Sequence, residues 1–449
     1  MIQYFHGGDS ELKRRQIIFI GVCTMVVFSS LHVRSACAEV LTLSQGLQRV
    51  AENNRVIKIT QQQERISEAD TLIARSPLLP NVNASAGQTF LSHQPTAIFG
   101  PQTVPTAEKS FASYSLGIQQ LVYDFEGSAS RYKASKAILE TKRLDTRRIR
   151  NLVSLEFSLA YFDLLEAEKL ARVAQKEVES VSSHLRDAKT LYENGVITKN
   201  DLLQAEVRLS DARQKLLNAK NLRAINASRL NTVLSQPLST DIQVLDIEES
   251  PSDHLFPDRE KAWEAALQER PEMRIVDETM KSLNLEEKSM KADFYPRFFA
   301  GASYDYTENR YQLHQGNAAL VLGVSMNLFS GGSTKAEVAK TEYRKVQLRE
   351  QRARLGDEIK LEVEKNILDL KNAQERINVA KDAVGQAEEN LRINRVRYEE
   401  GVGTATEVLD AVTLLTVAET NYYRSLYDLR RAESATLYSM GKDLSEVYQ

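Results

Sequence analysis

The sequence predicts a mostly α-helical chain with a membrane β-barrel part: long antiparallel coiled-coil helices plus four β-strands, arranged as an internal tandem duplication. Three observations predict it. Tyr192-Glu193-Asn194-Gly195-Val196-Ile197-Thr198 returns as Tyr398-Glu399-Glu400-Gly401-Val402-Gly403-Thr404, an offset of 206 residues. Ser128 to Tyr192 contains neither glycine nor proline, and as one helix it would reach ~100 Å at about 1.5 Å per residue. Four segments alternate apolar and polar residues with period two, the pattern of strands with one apolar face.

The first element is an export signal over residues 1–38. Lys13, Arg14 and Arg15 form a basic start, Ile17 to Phe28 an apolar stretch, and Ala36-Cys37-Ala38 a small-x-small cleavage site. The apolar run is short for a membrane-spanning helix. Cleavage after Ala38 leaves Glu39 first and removes both cysteines, Cys23 and Cys37. Lipidation of Cys37 is the alternative, with Arg34 where a lipobox wants an aliphatic residue.

Two copies of one unit follow: residues 39–240, a linker at 241–257, residues 258–441, and a short tail at 442–449. The duplication continues through Leu203 with Leu409, Ala205 with Ala411 and Ala212 with Ala418. Before residue 90 the offset becomes 216, Pro80 matching Pro296, so the first copy carries extra residues between Phe90 and Leu121.

Strands are expected at about 81–90, 113–123, 297–307 and 319–329. Val82, Ala84 and Ala86 face one way, with Asn81, Asn83 and Ser85 opposite; Leu320, Leu322 and Val324 alternate likewise with Val321, Gly323 and Ser325. Gln120 interrupts the apolar face of the second segment and Phe299 the polar face of the third. A soluble hairpin would also alternate; the export signal and the flanking aromatics Phe90, Tyr123, Tyr304, Tyr306 and Phe329 favour lipid on the apolar side. Four strands cannot close a barrel, and open sheet edges are not tolerated in lipid. Several chains must then share one barrel, two giving eight strands and three giving twelve.

The long helices are expected at Ser128–Tyr192 and Ser333–Glu400, with Gly356 and Gly385 as weak points. Val363, Ile367, Leu370, Ala373, Ile377, Ala380, Val384, Ala387 and Leu391 step mostly by three and four, the narrow seam of a coiled coil. Shorter antiparallel partners span Asp201–Leu234 and Thr406–Met440, so the regions of Gly195 and Gly401 are hairpin tips.

Composition narrows the function. With 27% charged and 42% hydrophobic residues, the chain is too polar for a polytopic helical membrane protein and too apolar for a disordered one. A net charge of −3 does not suggest nucleic acid. The basic run Lys142, Arg143, Arg147, Arg148 and Arg150 is interleaved with Glu140, Asp145 and Glu156, as on a solvated helix face. His93, His184, His254 and His314 lack metal-ligand spacing, and no nucleophile–base set or phosphate loop stands out, so neither an enzyme nor a cofactor is expected. Trp263 reads as a packing residue.

The paired tips, Tyr192-Glu193-Asn194-Gly195 through Asp201-Leu202-Leu203-Gln204-Ala205 and Tyr398-Glu399-Glu400-Gly401 through Val408-Leu409-Asp410-Ala411, resemble those of the TolC family of outer-membrane channel-tunnels. So do the strand-to-helix joints Tyr123-Asp124-Phe125-Glu126-Gly127 and Leu328-Phe329-Ser330-Gly331-Gly332, and the unit openings Leu41-Thr42-Leu43-Ser44-Gln45-Gly46-Leu47 and Ala262-Trp263-Glu264-Ala265-Ala266-Leu267. The likeness covers essentially the whole mature chain.

The resemblance implies a homotrimer in the outer membrane. Its twelve-stranded barrel would continue as an α-barrel tunnel, serving drug efflux or type I secretion with a periplasmic adaptor and an inner-membrane pump of the RND or ABC type. By position it implies a gate pairing Asp201 with Tyr398, an acidic ring from Glu407 and Asp410, and adaptor contacts at Gly195, Val196, Gly401 and Val402. Gly403 stands where the best-known member has a gate arginine. The competing reading is an exported periplasmic coiled-coil scaffold without a pore.

Overall fold

The computed structural model describes residues 40–246 and 258–448. The signal segment, Cys37 included, and residues 247–257 of the expected linker lie outside them.

Strand β1 (Val40–Leu41) leads into α1 (Leu43–Asn53) and α2 (Arg55–Arg75). Then come β2 (Asn81–Phe90), β3 (Thr96–Phe99), β4 (Gln102–Pro105) and β5 (Ser110–Tyr123). The helical hairpin α3 (Gly127–Glu193) and α4 (Lys199–Val233) ends the first copy, followed by β6 (Gln243–Val244). The second copy has α5 (Arg259–Glu269), α6 (Pro271–Ala292), β7 (Arg297–Thr307), β8 (Gly316–Ser325), α7 (Ser333–Glu399) and α8 (Ala405–Ser439). A last helix, α9, spans Leu444–Val447.

The duplication is conformational as well as sequential: α3 and α7 both have 67 residues, and α4 and α8 both have 35. Neither Gly356 nor Gly385 breaks α7. In its seam Val363, Leu370, Ala373, Ala380, Ala387 and Leu391 are buried, while Ile367, Ile377 and Val384 are half-buried. The alanines let α7 and α8 approach closely, as a narrow seam requires.

Two short helices lie end to end along each long one. α2 and α4 both pack on α3, and the Asn54 side chain at the head of α2 donates to the Val233 carbonyl at the foot of α4, 2.8 Å away. The Arg270 guanidinium at the head of α6 likewise lies 5.5 Å from the Tyr438 ring near the end of α8. Around these junctions forms the apolar core, with Leu41, Leu47, Phe157, Tyr161, Phe162, Leu230, Tyr427 and Leu444. The Tyr161 hydroxyl donates to the carbonyls of Leu41 and Leu245, tying the parallel β1–β6 pair to α3. The C-terminal segment belongs to this core: Leu444 is buried and the Tyr448 hydroxyl lies 2.9 Å from Ser434 Oγ. Trp263 packs against the same cluster, with Arg259 over its ring.

The sheet is antiparallel in the order β2–β5–β7–β8, so β2 and β8 each leave one edge unpaired in the single chain. Val82, Leu116, Ile118, Leu320, Leu322 and Val324 are all exposed, an apolar face of the kind a barrel turns to lipid. Both interruptions of the alternation have local causes. Gln120 donates to the Leu78 and Leu121 carbonyls beside a bulge between Leu121 and Tyr123. Phe299 is registered against Gly323 and lies over it, where any β-carbon would collide with the ring.

Two strand boundaries differ from expectation. β5 begins at Ser110 because it pairs with the full length of β2, Phe90 opposite Ser110. β8 spans 316–325 instead of 319–329, because its partner β7 starts at Arg297, opposite Ser325. Beyond that point Asn327 turns the chain by accepting from the Phe329 amide. The extra residues of the first copy form an unforeseen hairpin, β3–β4.

Each strand-to-helix joint takes two successive residues through left-handed backbone. Gly331 and Gly332 do so at φ +63° and +87°, as glycine allows. At the matching places Phe125 and Glu126 adopt φ +52° and +66°, a conformation that costs a residue with a side chain. Phe125 is held there by Tyr123 and Tyr295, whose ring centroids lie 4.9 and 4.7 Å away, and Glu126 by Lys288.

Candidate functional site

The hairpin tips, farthest along the long helices from the sheet, hold every residue singled out as gate, ring or docking contact. Both tips are built the same way. α3 ends with Gly195 at φ +75° and bonds from the Gly195 and Val196 amides to the Tyr192 and Leu191 carbonyls. α7 ends with Gly401 at φ +72° and bonds from Gly401 and Val402 to Tyr398 and Arg397. This closure needs a left-handed residue after the helix, hence glycine. It pushes the next side chain outward: Val196 and Val402 are 65% and 70% exposed.

The following helices start with reciprocal caps. Thr198 Oγ1 accepts from the Asp201 amide, and the Asp201 carboxylate takes the Thr198 amide at 3.1 Å and hydroxyl at 2.7 Å. Thr404 and Glu407 repeat the arrangement, with the Thr404 amide donating to Glu407 Oε2 at 2.9 Å. These are capping boxes, and the spacing Thr-x-x-acid in both tips was the available signal.

The cap alters the expected gate. No hydrogen bond joins Tyr398 to Asp201, because the Asp201 carboxylate turns back onto Thr198. The Tyr398 side chain is buried among Val181, Leu391, Val408 and Val412, and its hydroxyl has no hydrogen-bond partner among the described residues. Burial pushes the phenol pKa above its ordinary value, and the carboxylates of Asp187 and Asp201 add to the rise. A residue not foreseen as functional sits beside it: the buried His184 ring of α3, centroid 5.0 Å from that of Tyr398. Nothing in the sequence around His184 signals this contact, which joins residues of the two different hairpins.

The two acids expected to form a ring stand on one face of α8, each with a basic neighbour. Glu407 Oε1 is 3.9 Å from Arg397 Nη1, and Asp410 Oδ1 is 3.6 Å from Arg208 Nη2. Gly403 itself is tightly packed: its amide donates to the Arg397 carbonyl at 2.9 Å, and an added β-carbon would lie 3.1 Å from the Tyr398 nitrogen. A groove between α4 and α8 opens at this end, lined by Leu203, Gln204, Val207, Arg208, Leu409 and Asp410. The basic run farther up α3 is partly paired, Arg143 with Glu64 and Glu140 and Arg148 with Asp145.

The arrangement is that of a conduit wall: a membrane sheet at one end, long paired helices, and charged tips at the other. The family profile described as "Outer membrane efflux protein" matches residues 46–236 and 262–441. The chain is 21% identical over 432 residues to outer membrane efflux protein BepC of Brucella suis, covering 94% of this chain and 90% of BepC. It is 25% identical over 419 residues to alkaline protease secretion protein AprF of Pseudomonas aeruginosa, covering 91% and 81%. The crystal structure of outer membrane protein VceC from Vibrio cholerae has the same fold, with a TM-score of 0.76 at 16% identity, over 89% of this chain and 96% of that one. With both copies of its duplicated unit matched, the chain belongs to the outer membrane efflux protein family, whose members are channels: it is an exit duct of the outer membrane that extends into the periplasm.

Proposed function

We propose that three copies of the chain close one twelve-stranded barrel and continue it as a helical tunnel across the periplasm, passively conducting substrates from an inner-membrane pump and its adaptor. The observation that carries this reading is the four-stranded sheet with an unpaired edge on each side and an apolar outer face, since open edges in lipid leave backbone groups unsatisfied. The periplasmic end is gated at the two tips, with Tyr398 wedged between the hairpins and Asp201 shaping the first tip through its cap. Glu407 and Asp410 line the constriction, and the exposed Val196 and Val402, set outward by Gly195 and Gly401, meet the adaptor.

The names of BepC and AprF point to efflux and to protease secretion respectively, so both an RND-type and an ABC-type pump fit, and identifying the transporter genes near this one decides between them. Crosslinking of the detergent-purified protein tests the assembly. The expected result is a three-chain product with heat-modifiable migration; a folded monomer inserted in bilayers overturns it.

A further inference from the structure

At the tip two polar atoms on neighbouring rings are buried without a partner among the described residues: the Tyr398 hydroxyl and Nε2 of His184. The residues are 7% and 5% exposed, and the rings are inclined by 51°. His184 belongs to α3 and Tyr398 to α7, so the pair spans the two hairpins. Repeat symmetry does not explain it: the counterparts at the same offset, Asn390 and Tyr192, are both exposed.

A phenol hydroxyl is a donor and the unprotonated nitrogen of a neutral imidazole an acceptor. At this ring spacing a small side-chain adjustment or one bridging water satisfies both groups. We propose that in the closed tip the Tyr398 hydroxyl donates to Nε2 of neutral His184, and that protonation of this imidazole breaks the tie and opens the tunnel in acid. The proposal rests on the gated-duct reading above.

The surrounding charges fit. Burial is the largest influence on His184 and pushes its pKa below the ordinary histidine value; Arg395 of α7 pushes the same way, and Asp187 of α3 opposes them. Burial, with Asp187 and Asp201 adding to it, pushes the Tyr398 phenol pKa up, away from the tested range, so the hydroxyl can donate throughout. On α8, Glu407 and Asp410 face Arg397 and Arg208. If opening exposes the ring, His184 regains the ordinary histidine pKa of about 6.5. The open state then binds protons more tightly than the closed one. The bias toward closure is complete above about pH 6.5 and falls as pH drops toward the lowered pKa of the closed state. In each copy it falls by up to about tenfold for every pH unit that separates the open-state and closed-state values.

The test uses the full-length protein in planar bilayers at pH 7.5 and 5.5. Wild-type open probability should rise about fivefold or more in acid. His184→Gln, whose amide oxygen accepts but does not titrate, should stay closed at both pH values. Tyr398→Phe should be leaky at pH 7.5, and the acid response it keeps comes from the burial of His184. Hydrogen-exchange protection of residues 391–412 in detergent, corrected for intrinsic rates, gives a second readout independent of conduction. Loss of protection in acid that His184→Gln abolishes upholds the switch even in a chain that forms no pore, an outcome that removes the duct reading instead. A conducting trimer with no pH response, or with the same response in wild type and His184→Gln, overturns the switch and leaves the duct intact.

Discussion

Asn54 reaches across 179 residues of sequence to donate to the Val233 carbonyl, while its own side-chain oxygen accepts from the Val56 and Ile57 amides at 2.8 and 3.4 Å. One buried amide thus starts α2 and fastens it to the end of α4, making two short helices act as one strut along α3.

Asn54→Ala removes a helix cap and leaves a buried carbonyl unpaired, at a combined cost of about 2–3 kcal/mol. Thermal unfolding of the detergent-solubilised protein should show a lowered midpoint. Asn54→Asp keeps the cap but loses the donor, so it should also destabilise. An unchanged midpoint for the alanine variant removes the residue from this role.

An arginine on the lipid face costs about 2–4 kcal/mol at the bilayer midplane, whereas the lumen side tolerates charge. Leu322, exposed on the apolar face, and Ser303, on the polar face, separate the two cases. Leu322→Arg should depress the yield of refolding into lipid vesicles, and Ser303→Arg should leave it nearly intact. Equal tolerance of both would argue for a soluble hairpin and against a barrel.

The β3–β4 hairpin turns at Gly100 and projects Ile98 and Phe99 into the open. It connects the strand ends opposite the periplasmic helices, so an epitope tag inserted at Gly100 should be labelled from outside intact cells. Labelling only after the outer membrane is permeabilised would reverse the topology.

Glu407 caps α8 with Thr404, and in the function proposed above it also lines the constriction beside Asp410. Glu407→Gln preserves the cap geometry, because glutamine also serves at this position. With Asp410→Asn it should weaken cation preference and block by multivalent cations, without loosening the tip. Glu407→Ala should in addition speed hydrogen exchange in the first turn of α8, matching the loss of about 1 kcal/mol of capping. If the glutamine–asparagine pair conducted with unchanged ion preference, the ring assignment would fail.

Much of the architecture was legible in the sequence, because it depends on short-range regularities. The seam from Val363 to Leu391, the absence of breakers in α3, the glycine after each long helix and the period-two strands each act within a few residues. The duplication then ordered them twice. Even the caps at Thr198 and Thr404 were readable, although there Asp201 and Glu407 carried only the roles taken from the family likeness.

Only the tertiary structure decided which side chains meet. The end of β8 depends on where β7 begins, and the conformation of Phe125 and Glu126 on Tyr295 and Lys288, which lie in the second copy. At the tip, Asp201 is drawn to Thr198, three residues away, and Tyr398 is left beside His184, more than two hundred residues distant. Helix period and turn chemistry are set by neighbours along the chain. Burial, and with it the partner and the ionisation of a polar group, is set by what another element brings against it.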